Sequence, residues 1–263
     1  MEPGRGDMLG IMAEMPFELL FAAAGITLFA GFVKGVVGFA MPMIMISGLG
    51  SILPAEIALA ALILPTFLAN AIQSVRDGFG AALAVVRRFW VYILMMLVFL
   101  ASSAQLVNLI PGNVLFLVIG TPMVAFALLQ LVGWRLRLDP DHRLRDEMAL
   151  GGLAGFVGGL SGVWGPPLVA YLVAIDAEKR EAIRAQGMIY GIGALALVIA
   201  HLRSGVLNSA TLPLSAAAIV PALAGLWLGT RLQTRMPQTT FRRAMLVVLA
   251  LAGLNLLRRG LMG

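Results

Sequence analysis

Five stretches without Asp, Glu, Lys or Arg, at residues 57–75, 89–134, 148–175, 185–202 and 204–230, constrain this chain more than any other feature. Each is close to, or longer than, the ~20 apolar residues that carry a helix across a hydrocarbon layer ~30 Å thick. Backbone amides find no water at that depth, so the crossing segments must satisfy their own hydrogen bonds, and helices do so within one segment. The expected class is an all-α polytopic membrane protein. The stretch 89–134 suffices for two crossings, divided by Asn-Leu-Ile-Pro-Gly-Asn at 108–113. Composition agrees: 60% of residues are hydrophobic and 12% charged, against about 25% charged in an ordinary soluble domain.

The net charge of +6 and pI near 10.7 do not describe a nucleic-acid protein. The nineteen Lys and Arg lie in short loops between apolar stretches, where they set topology. The absence of cysteine excludes disulfides and thiolate chemistry, and no Cys or His cluster offers a metal site, so no cofactor is expected. The first twenty residues are more acidic than basic and lack a basic segment before the first apolar stretch, so no cleaved signal peptide is expected.

A repeat organises the chain. Residues 30–42 read AGFVKGVVGFAMP and residues 154–166 read AGFVGGLSGVWGP; they share Ala, Gly, Phe, Val, Gly, Gly and Pro, 124 positions apart. Arg76-Asp77-Gly78 recurs as Arg203-Ser204-Gly205, and Pro111 pairs with Pro237. The expected division is a first transmembrane repeat at 1–134, a polar cytoplasmic linker at 135–147 with four Arg and four acids, and a second repeat at 148–263. Each repeat reads as a glycine-split hairpin plus three spans. The first runs through 17–33, 36–50, 55–75, 88–106 and 112–133; the second runs through 148–161, 163–176, 183–202, 208–230 and 240–257. The hairpin arms are short for full crossings, so re-entrant and fully crossing hairpins both stay open.

Charge orients the whole. The loops at 76–88, 135–147, 177–184 and 231–243 hold 14 Lys and Arg, and the opposite face holds Arg5, Arg203, Arg258 and Arg259. With those loops cytoplasmic, both termini lie on the non-cytoplasmic side; counting each hairpin as one crossing splits the same residues 11 to 7 and fits less well. A half with an odd number of net crossings inverts its successor, which is the inverted-repeat plan of secondary transporters, with broken helices meeting near the midplane.

Glycine and proline weaken a helix by about 1 and 3 kcal/mol relative to alanine, so the phrases mark chain that bends or unwinds. Freed NH groups and helix N-termini suit an anion. The structural alternative is close helix packing at Gly31-x-x-x-Gly35 and Gly155-x-x-x-Gly159. Recurrence in both halves and the following prolines favour a break that shapes a site, expected to draw on Lys34, Gly35, Gly38 and Pro42 in the first copy and Gly158, Gly159, Ser161, Gly162, Trp164 and Pro166 in the second.

These doubled phrases, each a Gly-x-x-x-Gly-x-x-Gly ending in Pro and each opening half of an apolar chain, resemble the TauE/SafE family of sulfite and organosulfonate exporters over nearly the whole length. The resemblance implies a secondary carrier of small sulfur-containing anions in a bacterial-type cytoplasmic membrane, not an enzyme. It names no single substrate.

Lys34 stands where the second copy has Gly158. An ammonium in hydrocarbon costs about 2.5–3.5 kcal/mol on insertion scales, so Lys34 either serves an anion at a re-entrant tip or is a loop lysine between two crossing arms. Asn70, Gln73 and Arg76 follow one helix face, and Gln186 and Tyr190 form an i, i+4 pair with Asn208 beyond. Asn70, Gln73, Gln186 and Tyr190 are candidates to line a path, against the plainer role of interhelical hydrogen bonding. Arg76 and Arg203 read as interfacial anchors, Asp176 and Glu56 as caps or solvated ends, and Trp90, Trp134 and Trp227 as belt residues. His201 is either a carrier of a coupling proton or a satisfied interfacial histidine. A homo-oligomer is compatible with the sequence.

Rival classes make different demands. An intramembrane serine hydrolase would use Ser161 with His201, yet the position matching Ser161 in the first copy is Val37 while the flanking glycines persist. A membrane scaffold would carry no flux, and an anion channel of the same fold would share every feature above.

Overall fold

The computed structural model describes residues 16–76, 78–103, 117, 120–121, 124–125, 127–129, 131–133, 138, 140–161 and 164–262. Asp77, the 108–113 divider with Pro111, much of the expected span 112–133, Trp134, Gly162 and residues 1–15 lie outside the described residues, as do the side chains of Glu56, Ser161 and Arg203.

Helices make up the described chain, and no strand occurs in it. In order they are α1 Phe17–Val37, α2 Met41–Leu49, α3 Ala55–Val75, α4 Phe79–Arg88, α5 Trp90–Ser103, a 3-10 turn Pro140–His142, α6 Arg143–Ser161, α7 Gly165–Ala174, α8 Lys179–Ser204, α9 Leu212–Arg235 and α10 Gln238–Met262. Five of them, over Phe17–Val37, Ile57–Val75, Lys179–Ile199, Leu212–Arg235 and Gln238–Met262, are long and apolar enough to span a membrane, and the pair α4 and α5, bent by 74°, makes a sixth if counted as one broken span.

Three boundaries differ from the sequence reading. The first arm is not short: α1 has 21 residues, whereas α2 has nine and α7 ten. At about 1.5 Å per residue, α2 and α7 each reach only about half of the hydrocarbon thickness. The segment expected as a loop at 76–88 is largely α4, an amphipathic helix ending in Arg87 and Arg88; charge counting hid its apolar face. The linker likewise gives its last five residues, from Arg143 to Glu147, to the start of α6.

The helices form two compact units that interleave the sequence halves. The first unit holds α1 to Val36, α2, α3 to Asn70, the end of α8 from Ala194, and α9 to Thr234. Met41, Met45, Leu49, Ala58, Leu62, Ile63, Leu214, Ala222 and Leu226 form its core. Here α1 and α9 cross closely: a Cβ on Gly31 would overlap the backbone of Ala222, and one on Gly35 would fall 2.8 Å from Gly229 Cα. Small residues permit such approach where lipid supplies no hydrophobic drive.

The second unit holds Val37–Ala40, the end of α3, α4 to α7, α8 to Gly193, and α10. Its closest crossing sets α6 on α5. A Cβ on Gly151 would fall 2.6 Å from Tyr92 O, one on Gly155 would overlap the backbone of Met96, and Ser103 Oγ donates to Gly155 O at 3.3 Å.

Exposure is inverted relative to a soluble protein. Phe21, Phe29, Val220 and Leu251 are exposed, while Lys34, Asn70, Gln73 and Gln186 are buried. A lipid solvent produces that pattern, because apolar side chains cost nothing facing it and polar ones must find partners inside. Trp90 and Trp227 are exposed, as belt residues require, and Arg231 stacks 3.7 Å from the Trp227 ring centroid.

Candidate functional site

In the first unit, Lys34 lies in the last turn of α1, not at the hairpin tip. The helix continues through Gly35 because that glycine meets α9, and the turn falls later, at Gly38 to Ala40. Lys34 is 2% exposed, which excludes a solvated loop lysine, and its Nζ donates to Asn70 Oδ1 at 2.5 Å. Among the described residues it is the one buried cation. Thr66, four residues before Asn70 on α3, is 1% exposed, and its hydroxyl finds no hydrogen-bond partner among the described residues. Sequence reading passed over Thr66; its one signal was the i, i+4 spacing to Asn70 within an apolar stretch.

In the second unit the first glycine break is opened by left-handed backbone, with φ 87° at Gly38 and 75° at Ala40, before Pro42 enters α2. Two glutamines hold the break. Gln73 Nε2 donates to Ile183 O at 2.7 Å and to Gly38 O at 3.3 Å. With its amide nitrogen turned towards the break, Gln186 donates to Val37 O at 3.1 Å and Gly38 O at 3.2 Å. The second break leads into α7 through Trp164, Gly165, Pro166 and Pro167, prolines that lose little at a helix start. Tyr190 OH donates to Gly165 O at 2.8 Å. The i, i+4 pair Gln186 and Tyr190 on α8 therefore fastens the first break at one residue and the second at the other.

Trp164 is buried against glycines: a Cβ on Gly158 would fall 2.8 Å from Trp164 Cβ, and one on Gly193 would fall 2.7 Å from its ring. Gly158 and Gly159 are helical residues of α6, and Ser161 is its last residue. Gly35 and Gly158 are thus occupied by packing, whereas Gly38 is a turn and its carbonyl an acceptor.

A second polar cluster lies at the start of α6. Glu147, 2% exposed, accepts from Arg143 Nε at 2.7 Å and Tyr171 OH at 3.1 Å, while Arg143 also reaches Arg88 O. The Glu147 hydrogen bond and charge push the Arg143 guanidinium above its ordinary value, which marks a lock between α6, α7 and α4. Tyr92, Tyr171 and Tyr190, the chain's three tyrosines, are all buried in this unit, with Tyr92 and Tyr171 stacked at 5.9 Å. Asp176 pairs with Arg242 at 2.6 Å. Asn208 accepts from Ala210 N at 2.8 Å and Thr211 N at 3.1 Å, a turn role. His201 is partly buried beyond the apolar part of α8, and burial pushes its pKa down.

The described residues contain no cluster of His, Cys, Asp or Glu suited to a metal ion. Comparison with protein families finds the model described as "Sulfite exporter TauE/SafE" matching residues 23–256. Comparison with curated proteins and with solved structures found no match.

Proposed function

The chain belongs to the sulfite exporter TauE/SafE family, and from that premise we propose that it exports sulfite or small organosulfonates by alternating access, with Lys34 as the positive group that meets the anion. Family membership implies a membrane transporter of the sulfur-anion exporter type, and the long apolar helices agree with an integral membrane protein. The observation that carries the finer reading is Lys34 itself, 2% exposed and held by an amide oxygen at 2.5 Å. An ionisable side chain buried among membrane-spanning helices is by default a functional group, and an ammonium suits a ligand of opposite charge.

Several features support the rest of the reading. The first-half helix α1 packs on second-half α9 in one unit, and second-half α6 packs on first-half α5 in the other. That reciprocal exchange is what two inverted repeats, 1–134 and 148–263 around the linker, would produce. The two glycine breaks, tied by Gln186 and Tyr190, are the bending points of the cycle, and the half-length α2 and α7 are the re-entrant arms. The arginine-rich loops face the cytoplasm and both termini the opposite side of a bacterial-type inner membrane. A coupling proton is carried with the anion.

The test is flux of radiolabelled sulfite and a small sulfonate in proteoliposomes under an imposed pH gradient, with empty liposomes as control. Saturable flux that the gradient alters, and that Lys34→Ala reduces far more than Arg76→Ala, is the expected result. Folded protein that moves neither anion removes the substrate class; equal effects of the two substitutions remove Lys34 from the site. Flux that never saturates replaces the carrier with a channel.

A further inference from the structure

We propose that Thr66 is a ligand of the transported anion, donating its hydroxyl beside the Lys34 ammonium; this rests on the reading of Lys34 given above. Thr66 precedes Asn70 by one turn of α3, so its side chain lies on the helix face that holds Lys34. It is 1% exposed, and its Oγ1 has no hydrogen-bond partner among the described residues.

Such a hydroxyl calls for an explanation, because buried polar groups are nearly always paired. A helix offers a threonine an inexpensive remedy: its hydroxyl can return to the carbonyl four residues earlier. Thr27 in the same unit, 2% exposed, does this, donating to Ala23 O at 2.7 Å. Ser215, fully buried in that unit, accepts from Leu64 N at 3.2 Å. The unit thus gives the hydroxyls of Thr27 and Ser215 a partner and leaves that of Thr66 without one among the described residues. A hydroxyl carries one donor and two acceptor sites, and towards an oxyanion it makes the short, charge-assisted bond that a neutral partner cannot match. Sulfite and sulfonates present three oxygens on one sulfur. The ammonium of Lys34 and the hydroxyl of Thr66 can therefore take different oxygens of one ion.

Thr66→Val keeps the shape and deletes the hydroxyl, and Thr66→Ser keeps the hydroxyl. Each would be compared with wild type and Lys34→Ala in two measurements: saturable flux of sulfite and of methanesulfonate, and the rise in melting temperature that each anion gives the purified protein. Thr66→Val is expected to melt without anion at or above the wild-type temperature, to raise KM about tenfold or more, and to lose most of the anion-induced rise. Thr66→Ser is expected to stay within about threefold of wild type. A Thr66→Val protein with wild-type KM and wild-type anion stabilisation would overturn the inference while leaving Lys34 in place. Wild type that neither anion stabilises or saturates would remove the Lys34 reading and this inference with it. Thr66→Val that melts lower without anion, with Thr66→Ser equally impaired in KM, would show a packing role and also overturn the proposal.

Discussion

The two glycine phrases share seven of thirteen residues, yet they are used differently. In the first, Gly31 and Gly35 press α1 onto α9, a buried lysine follows, and the chain turns through left-handed Gly38 and Ala40. In the second, Gly155 presses α6 onto α5, and the position matching Lys34 is Gly158, lying under the Trp164 indole. The shared residues hold helices together, and the unshared ones set what each break contains. Packing and chemistry are therefore separable in this fold: one copy encloses an ammonium, and the other fills the corresponding place with a ring.

The largest expected effect breaks that asymmetry. Lys34→Ala should lower kcat/KM for sulfite by about 100-fold, since truncating a buried, hydrogen-bonded charge removes about 2–5 kcal/mol of interaction. Arg76→Ala should change it by no more than about threefold, as an interfacial anchor would. Flux measured for both at equal protein insertion decides the matter, and a loss at Arg76 as large as that at Lys34 would contradict the assignment. Next come the shared glycines, where the copies should behave alike. Gly31→Ala and Gly155→Ala each drive a methyl into a helix backbone, and each should cost about 2 kcal/mol by overpacking, read as unfolding in detergent. A large cost at one position only would show that the two crossings are not equivalent.

What the sequence revealed follows from the expense of polarity in lipid. A lysine, an asparagine and two glutamines in apolar stretches stand out because hydrocarbon tolerates them only for a reason, so Lys34, Asn70, Gln73 and Gln186 were legible as residue types at helical spacing. Thr66 was not, because a threonine in a membrane helix is ordinary and its lack of a partner exists only in three dimensions. The turn was misplaced by about one helical turn for a similar reason. Gly35 costs a helix about 1 kcal/mol in isolation, and only the approach of α9 explains why α1 runs on to Val37. The pairing of α1 with α9 and α6 with α5 was invisible, since a repeat tells which segments are alike and not which half each one packs against.

Smaller effects sharpen the contrast between the breaks. Tyr190→Phe deletes one hydrogen bond to Gly165 O and should cost about 0.6–1 kcal/mol, whereas Gln186→Leu leaves the Val37 and Gly38 carbonyls without that donor and should cost more, about 1–3 kcal/mol. Thermal unfolding in detergent ranks them, and the reverse order would mean that the second break, not the first, depends more on α8.

The smallest expected effect lies at Ala40, the counterpart of Trp164. Ala40 sits at φ 75° while Trp164 sits at −101°, so of these two matching positions the first holds its side chain in the left-handed region. An L-residue there is strained by about 1–2 kcal/mol, which glycine relieves, while glycine also adds about 0.4–1 kcal/mol of unfolded-state entropy and forfeits a buried methyl. The terms nearly cancel, so Ala40→Gly should lie within about 0.5 kcal/mol of wild type. Ala30→Gly, at a fully buried position inside α1, has no strain to release and should cost about 1 kcal/mol or more. A parallel melt of the two proteins reads the difference directly: equal losses would mean that Ala40 carries no strain, and the first break would then be held open by its glutamines alone.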